Sequence, residues 1–125
     1  MMAFERLQAW QCSHRLVLEI YRVTETWPKR EIYGLTSQAR RAAVSLSANI
    51  VEGSAKRGRK EFGRYLDNAL GSFSELTYLL RVSLDLGIMS EEQRRALEPL
   101  RAETGRLIWG LYRRVRPAAG AKARI

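Results

Sequence analysis

Cysteine and histidine are almost absent from this 125-residue chain: Cys12 and His14 are the only ones. A lone cysteine excludes an intramolecular disulfide framework and a Cys-based zinc site. A lone histidine excludes the usual His-rich metal sites, and no glutamate has a histidine three residues on, as a di-iron bundle requires. Neither residue has partner spacing for nucleophilic catalysis, and no Gly-x-Ser-x-Gly or phosphate-loop pattern occurs. No apolar run approaches the roughly 18 residues of a membrane span. Glu5 and Arg6 interrupt the N-terminus before a signal-peptide core can form. No segment alternates apolar and polar residues long enough for a strand. The expectation is a soluble, cytoplasmic protein without metal, cofactor or catalysis.

Acidic residues are also scarce. Thirteen Asp and Glu face 22 Lys and Arg, a net charge of +9. On a chain long enough for one domain, that excess favours phosphate-bearing partners: nucleic acid first, an anionic membrane surface second. Apolar residues at 46% and charged residues at 28% exclude wholesale disorder.

Proline occurs only at Pro28, Pro99 and Pro117, so long stretches lack the strongest helix breaker. Apolar residues recur three and four apart in four segments. The first, about Leu7 to Trp27, carries Trp10, Ser13, Val17, Ile20, Thr24 and Trp27, and ends at Pro28 and the polar run to Glu31. The second, about Leu35 to Ala55, carries small seam residues, Ala39, Ala42 and Gly53 among them, with Thr36 as its expected N-cap. The basic stretch SAKRGRK reads as a loop centred on Gly58. The third segment, about Arg59 to Leu86, keeps an unbroken rhythm from Phe62 to Ser83, and Gly87 is a natural left-handed C-terminal residue. The fourth begins at Ser90, which forms a capping box with Gln93. Pro99 is expected to kink this segment or delay its start, and Pro117 to stop it. The expected fold is all-α: an antiparallel up-down-up-down four-helix bundle over residues 1–116, followed by a flexible basic tail, 117–125.

The basic residues form two clusters. Lys56, Arg57, Arg59, Lys60 and Arg64 lie at the start of the third helix, where free N–H groups and the dipole attract anions. They read either as phosphate contacts or as a solvated loop. Arg113, Arg114 and Arg116 close the fourth helix, where they suit the dipole without any ligand. Arg40 and Arg41 cannot both face the seam, and a structural ion pair to Glu52 or Glu75 is expected there. Asn49, Glu52, Ser72 and Glu75 read as a buried hydrogen-bonded network. Gly53 with Ser54 and Gly71 with Ser72 form small patches able to face each other or a second subunit. Tyr65, Leu79, Val82 and Leu86 lie beyond a single seam, Trp10, Trp27 and Trp109 add large anchors, and together they favour a homo-oligomer. Most aromatics fall near apolar seams, which leaves no evident stacking platform for single strands.

The stretch QARRAAVSLSANIVEGSAKRGRKEFGRYLDNALGSFSELTYLL, with LQAWQ and IYRVTETWP before EIYGLTSQ, resembles the four-helix-bundle proteins of the 23S rRNA intervening-sequence (S23-like) family. The resemblance covers roughly residues 4–115. The family usually has proline after the Ser-aliphatic pair, where Ser47 stands here, so a straighter second helix is expected. The resemblance implies a ring-like homopentamer, a basic surface and nucleic-acid binding, to rRNA or DNA, and carries over no catalytic residues. A more distant group of similar bundles serves as accessory subunits of retroelement reverse transcriptases. The alternative function is therefore a protein-interaction scaffold with a reverse transcriptase as partner.

Overall fold

The three-four rhythm becomes four helices in a computed structural model that describes residues 1–116. They are α1 (Gln8–Thr24), α2 (Leu35–Ser54), α3 (Gly58–Asp85) and α4 (Glu91–Val115). Short 3-10 turns at Ala3–Arg6 and Lys29–Glu31 precede α1 and α2. The described residues contain no strand, and none of their helices is long and apolar enough to cross a membrane. The expected tail, with Pro117, Lys122 and Arg124, lies outside the described residues.

The core is drawn from all four stripes. Leu16 and Ile20 of α1, Leu46 and Ile50 of α2, Leu66 and Leu76 of α3 and Ile108 of α4 are fully buried. Burying such a side chain stabilises the fold by about 1.5–3 kcal/mol. Each helix packs against its neighbours in sequence, and α1 also packs against α4. The contacts run in reverse register from helix to helix. Ser13 bonds Ser47 at 3.0 Å while Thr24 accepts from Arg40 at 2.8 Å. Ser45 bonds Ser72 at 2.9 Å, and Gly53 lies against Phe62 and Tyr65. Arg101 reaches Thr77 at 3.2 Å, and Arg116 reaches Asp67 at 3.0 Å. Cys12 bonds Thr104 at 3.2 Å, and Thr26 accepts from Gln93 at 2.8 Å.

The helix boundaries follow capping chemistry. Gln93 N–H donates to Ser90 Oγ at 3.0 Å, and Ser90 N–H donates to Gln93 Oε1 at 3.1 Å, which is the expected box. At the end of α3, Ile88 N–H donates to the Ser83 carbonyl at 2.8 Å and Gly87 N–H to the Leu84 carbonyl at 3.0 Å. This is a Schellman motif around Gly87, whose φ is +76°. Nothing lies near the position of an added Cβ there. Gly87→Ala is therefore expected to cost only the backbone strain, about 1–2 kcal/mol, in urea unfolding. An unchanged midpoint and slope contradict the motif's role.

Four local expectations need correction. The cap of α2 is not Thr36, which is buried inside the first turn with its hydroxyl unpartnered. Glu31 does that work instead: its carboxylate accepts from Leu35 N–H at 3.0 Å. The basic loop is shorter than expected, because α3 starts at Gly58 and only Ala55–Arg57 connect the helices. Pro99 does not delay the start of α4, which already runs from Glu91 and continues through it to Val115. Finally, α1 stops at Thr24, and a turn carries the buried Trp27 onto the core.

Candidate nucleic-acid interface

The two basic clusters, far apart in sequence, meet at one end of the four helices. Arg59, in the first turn of α3, joins them. Its Nε donates to the Val115 carbonyl at 3.0 Å, and its Nη2 donates to the Arg114 carbonyl. The last carbonyls of a helix have no intrahelical partner and carry the negative end of its dipole, so a guanidinium satisfies both needs. Arg116 crosses the same gap in the other direction. Its Nη1 donates to Asp67 Oδ2 at 3.0 Å, and its guanidinium lies 5.8 Å from the centre of the Tyr112 ring. The stem of Arg116 lies directly over Gly63, which leaves no room for a Cβ. Arg64 donates to Glu61 at 3.0 Å and lies 5.2 Å from the Tyr65 ring centre. Its hydrogen bond holds the Glu61 carboxyl below the usual carboxylate range.

The eight predicted residues thus divide by what they touch. Arg59, Arg64 and Arg116 are engaged within the chain. Lys56, Arg57, Lys60, Arg113 and Arg114 are exposed and have no carboxylate partner among the described residues. Lys56 sits 5.5 Å above the Tyr65 ring, which steadies its stem without neutralising it. Beside them the start of α3 is uncapped by any side chain, and Gly58 turns into it at φ +81°. First-turn N–H groups and their dipole add to the positive potential there.

The charge is distributed unevenly along the helices. A plane through the contacts Ser13–Ser47, Ser45–Ser72 and Cys12–Thr104 divides the described chain in two. The half with the α2–α3 connection, residues 1–13, 46–72 and 104–116, has ten Lys and Arg against four Asp and Glu. The other half, 14–45 and 73–103, has ten against nine. That half ties up much of its charge in ion pairs, such as Arg22–Glu19 at 2.6 Å and Arg101–Glu98 at 2.7 Å. The surplus is therefore a property of one end.

Other candidate residues are not brought together as expected. Arg40 makes no ion pair among the described residues: it donates to Thr24 Oγ1 and the Tyr21 carbonyl and covers the Tyr21 ring at 4.6 Å. Arg41 faces solvent. Glu52 and Glu75 are exposed, so the polar network shrinks to Ser45, Asn49 and Ser72, all half-buried. Gly53 and Gly71 do not face one another: Gly53 meets Phe62 and Tyr65, and Gly71 borders open space. Leu79 and Trp27 lie inside the core, whereas Leu86 and Trp109 are 66% and 48% exposed. Trp109 thus stands clear of its seam, on the basic half. Asp67, Gly63 and Tyr112 escaped sequence reasoning because their partner, Arg116, is brought to them only by the fold. Among the described residues no group of three His, Cys, Asp or Glu is placed to hold a metal.

Comparison with known proteins agrees on the fold. A family model described as "23S rRNA-intervening sequence protein" matches residues 5–110. A crystal structure of a protein of unknown function from the S23 ribosomal protein family of Bacteroides thetaiotaomicron VPI-5482 is similar, with a TM-score of 0.73 at 20% identity. The match covers 83% of this chain and 97% of that one. No curated protein matches this chain.

Proposed function

We propose that this chain, which belongs to the 23S rRNA-intervening sequence protein family, binds RNA or DNA through backbone phosphates as a non-enzymatic homo-oligomer. The observation that carries the proposal is the one-ended charge surplus, with five exposed cations beside the uncapped start of α3. Phosphates are read by charge and N–H donors alone, so such contacts confer affinity without sequence preference. The reversed register of the contacts between neighbouring helices supports an antiparallel up-down-up-down bundle. Exposed Leu18, Tyr21, Val44, Tyr78 and Leu86 support burial against further copies. A ring of five rests on the family resemblance. Around such a ring the basic ends repeat, and weak phosphate contacts act together through effective concentration.

The test is a gel-shift series with rRNA and DNA at rising salt, paired with light scattering. Retardation at low ionic strength that fades steeply with salt is expected, from a particle of several chain masses. No retardation even at low salt removes the phosphate proposal and leaves the basic end as a dock for an acidic protein, such as a reverse transcriptase. A monomer mass removes the ring.

A further inference from the structure

We propose that Trp109 and the arginines beside it form a stacking site for an unpaired base, so that the basic end prefers single-stranded to double-stranded nucleic acid. The inference rests on the phosphate-binding function proposed above and names the form of nucleic acid that this end takes. Trp109 differs from the other two tryptophans. Trp27 is buried, and half-buried Trp10 is already stacked on His14 at 4.9 Å with Phe4 edge-on at 4.8 Å. Trp109 is 48% exposed on α4. Its one aromatic neighbour among the described residues, Tyr112, packs edge-to-face at 5.8 Å, which steadies the indole.

Arg106 and Arg113 stand three residues before and four after Trp109, one turn away on either side of the same helix face. Both are exposed; Arg106 pairs with Glu103, and Arg113 has no carboxylate partner among the described residues. A flat ring between two cations matches a nucleotide's repeating unit: a base to stack, with a phosphate on each side. A duplex keeps its bases stacked inside and offers only phosphates. Arg113 can grip either form directly and Arg106 by exchanging Glu103 for a phosphate, whereas the indole can reach only an unpaired base.

Fluorescence anisotropy with a labelled oligodeoxyadenylate strand, alone and annealed to its complement, tests this at one fixed salt concentration. The wild type is expected to bind the single strand more tightly, with quenching of tryptophan emission. Trp109→Ala is expected to weaken single-strand binding about tenfold and leave duplex binding unchanged. Trp109→Phe, which keeps a ring, is expected to retain most of the affinity. Equal losses on both probes, or no loss on either, overturn the stacking site while the phosphate proposal stands. An altered oligomer mass for Trp109→Ala also overturns it, because the indole then belongs to a contact between copies. Failure of the wild type to bind either probe overturns the phosphate proposal itself, and this inference with it.

Discussion

Replacing Lys56, Arg57, Lys60, Arg113 and Arg114 together with glutamine is expected to weaken nucleic-acid binding about a hundredfold or more at about 0.1 M salt. Each cation that neutralises a phosphate releases about one condensed counterion. The slope of log affinity against log salt should therefore fall by up to about 0.9 for every duplex phosphate that is no longer neutralised. Arg59 is left in place because it holds the Val115 and Arg114 carbonyls, and its removal would free the end of α4. The matching control replaces Lys29, Arg30, Arg41 and Arg95, which are exposed on the other half of the chain. It removes a similar charge, so a protein that binds through net charge alone loses affinity in both variants. The one-ended interface predicts a small loss in the control, with an unchanged helical spectrum in both. Similar losses in the two variants sink the assignment of the interface to the α2–α3 end.

The second large effect concerns how closely α2 and α3 approach. A Cβ at Gly53 would lie 2.8 Å from Tyr65 Cβ and 2.9 Å from Phe62 Cδ1. Tyr65 Cβ is fixed to the backbone of α3, so the helices themselves must separate. Gly53→Ala is expected to cost about 2–3 kcal/mol, at the upper end of overpacking effects, despite alanine's better helix propensity. Gly71→Ala carries the opposite sign. Nothing lies within 4 Å of its added Cβ, so only propensity and unfolded-state entropy act, and a gain of about 0.5–1 kcal/mol is expected. Urea unfolding of both variants decides the matter. A Gly53→Ala protein as stable as the wild type means the helices do not meet there as described.

The all-α class and four helices were legible because burial imposes a period that solvent-facing residues do not share. Ser90 with Gln93 and Gly87 were legible for the same kind of reason: a cap is a local device, spelled within a few residues. Glu31 capping α2 was hidden because the turn Lys29–Glu31 first has to fold its carboxylate back onto Leu35. The early start of α4 was hidden because Pro99 sits on its exposed face, where the helix continues despite the missing donor. Both basic clusters were legible as composition. Their meeting was not, since the bonds from Arg59 to Val115 and from Arg116 to Asp67 span about half the chain. The same fold ties Arg59 and Arg116 across α3 and α4, pairs Arg64 with Glu61 on its own helix, and leaves the other five cations without a carboxylate partner among the described residues. The exposure of Trp109 was also hidden, because its spacing on α4 places it near the seam, and packing decides which side of that edge it falls on.

The most direct measurement is a titration of isotopically labelled protein with a short nucleic acid, following backbone amide resonances. Shifts are expected only at Ala55–Arg64, at Arg106–Arg116 and at the Trp109 indole, fading as salt rises. Shifts centred on the opposite end, around Lys29–Glu31 and Ser90, or no shifts at low ionic strength, contradict the one-ended interface.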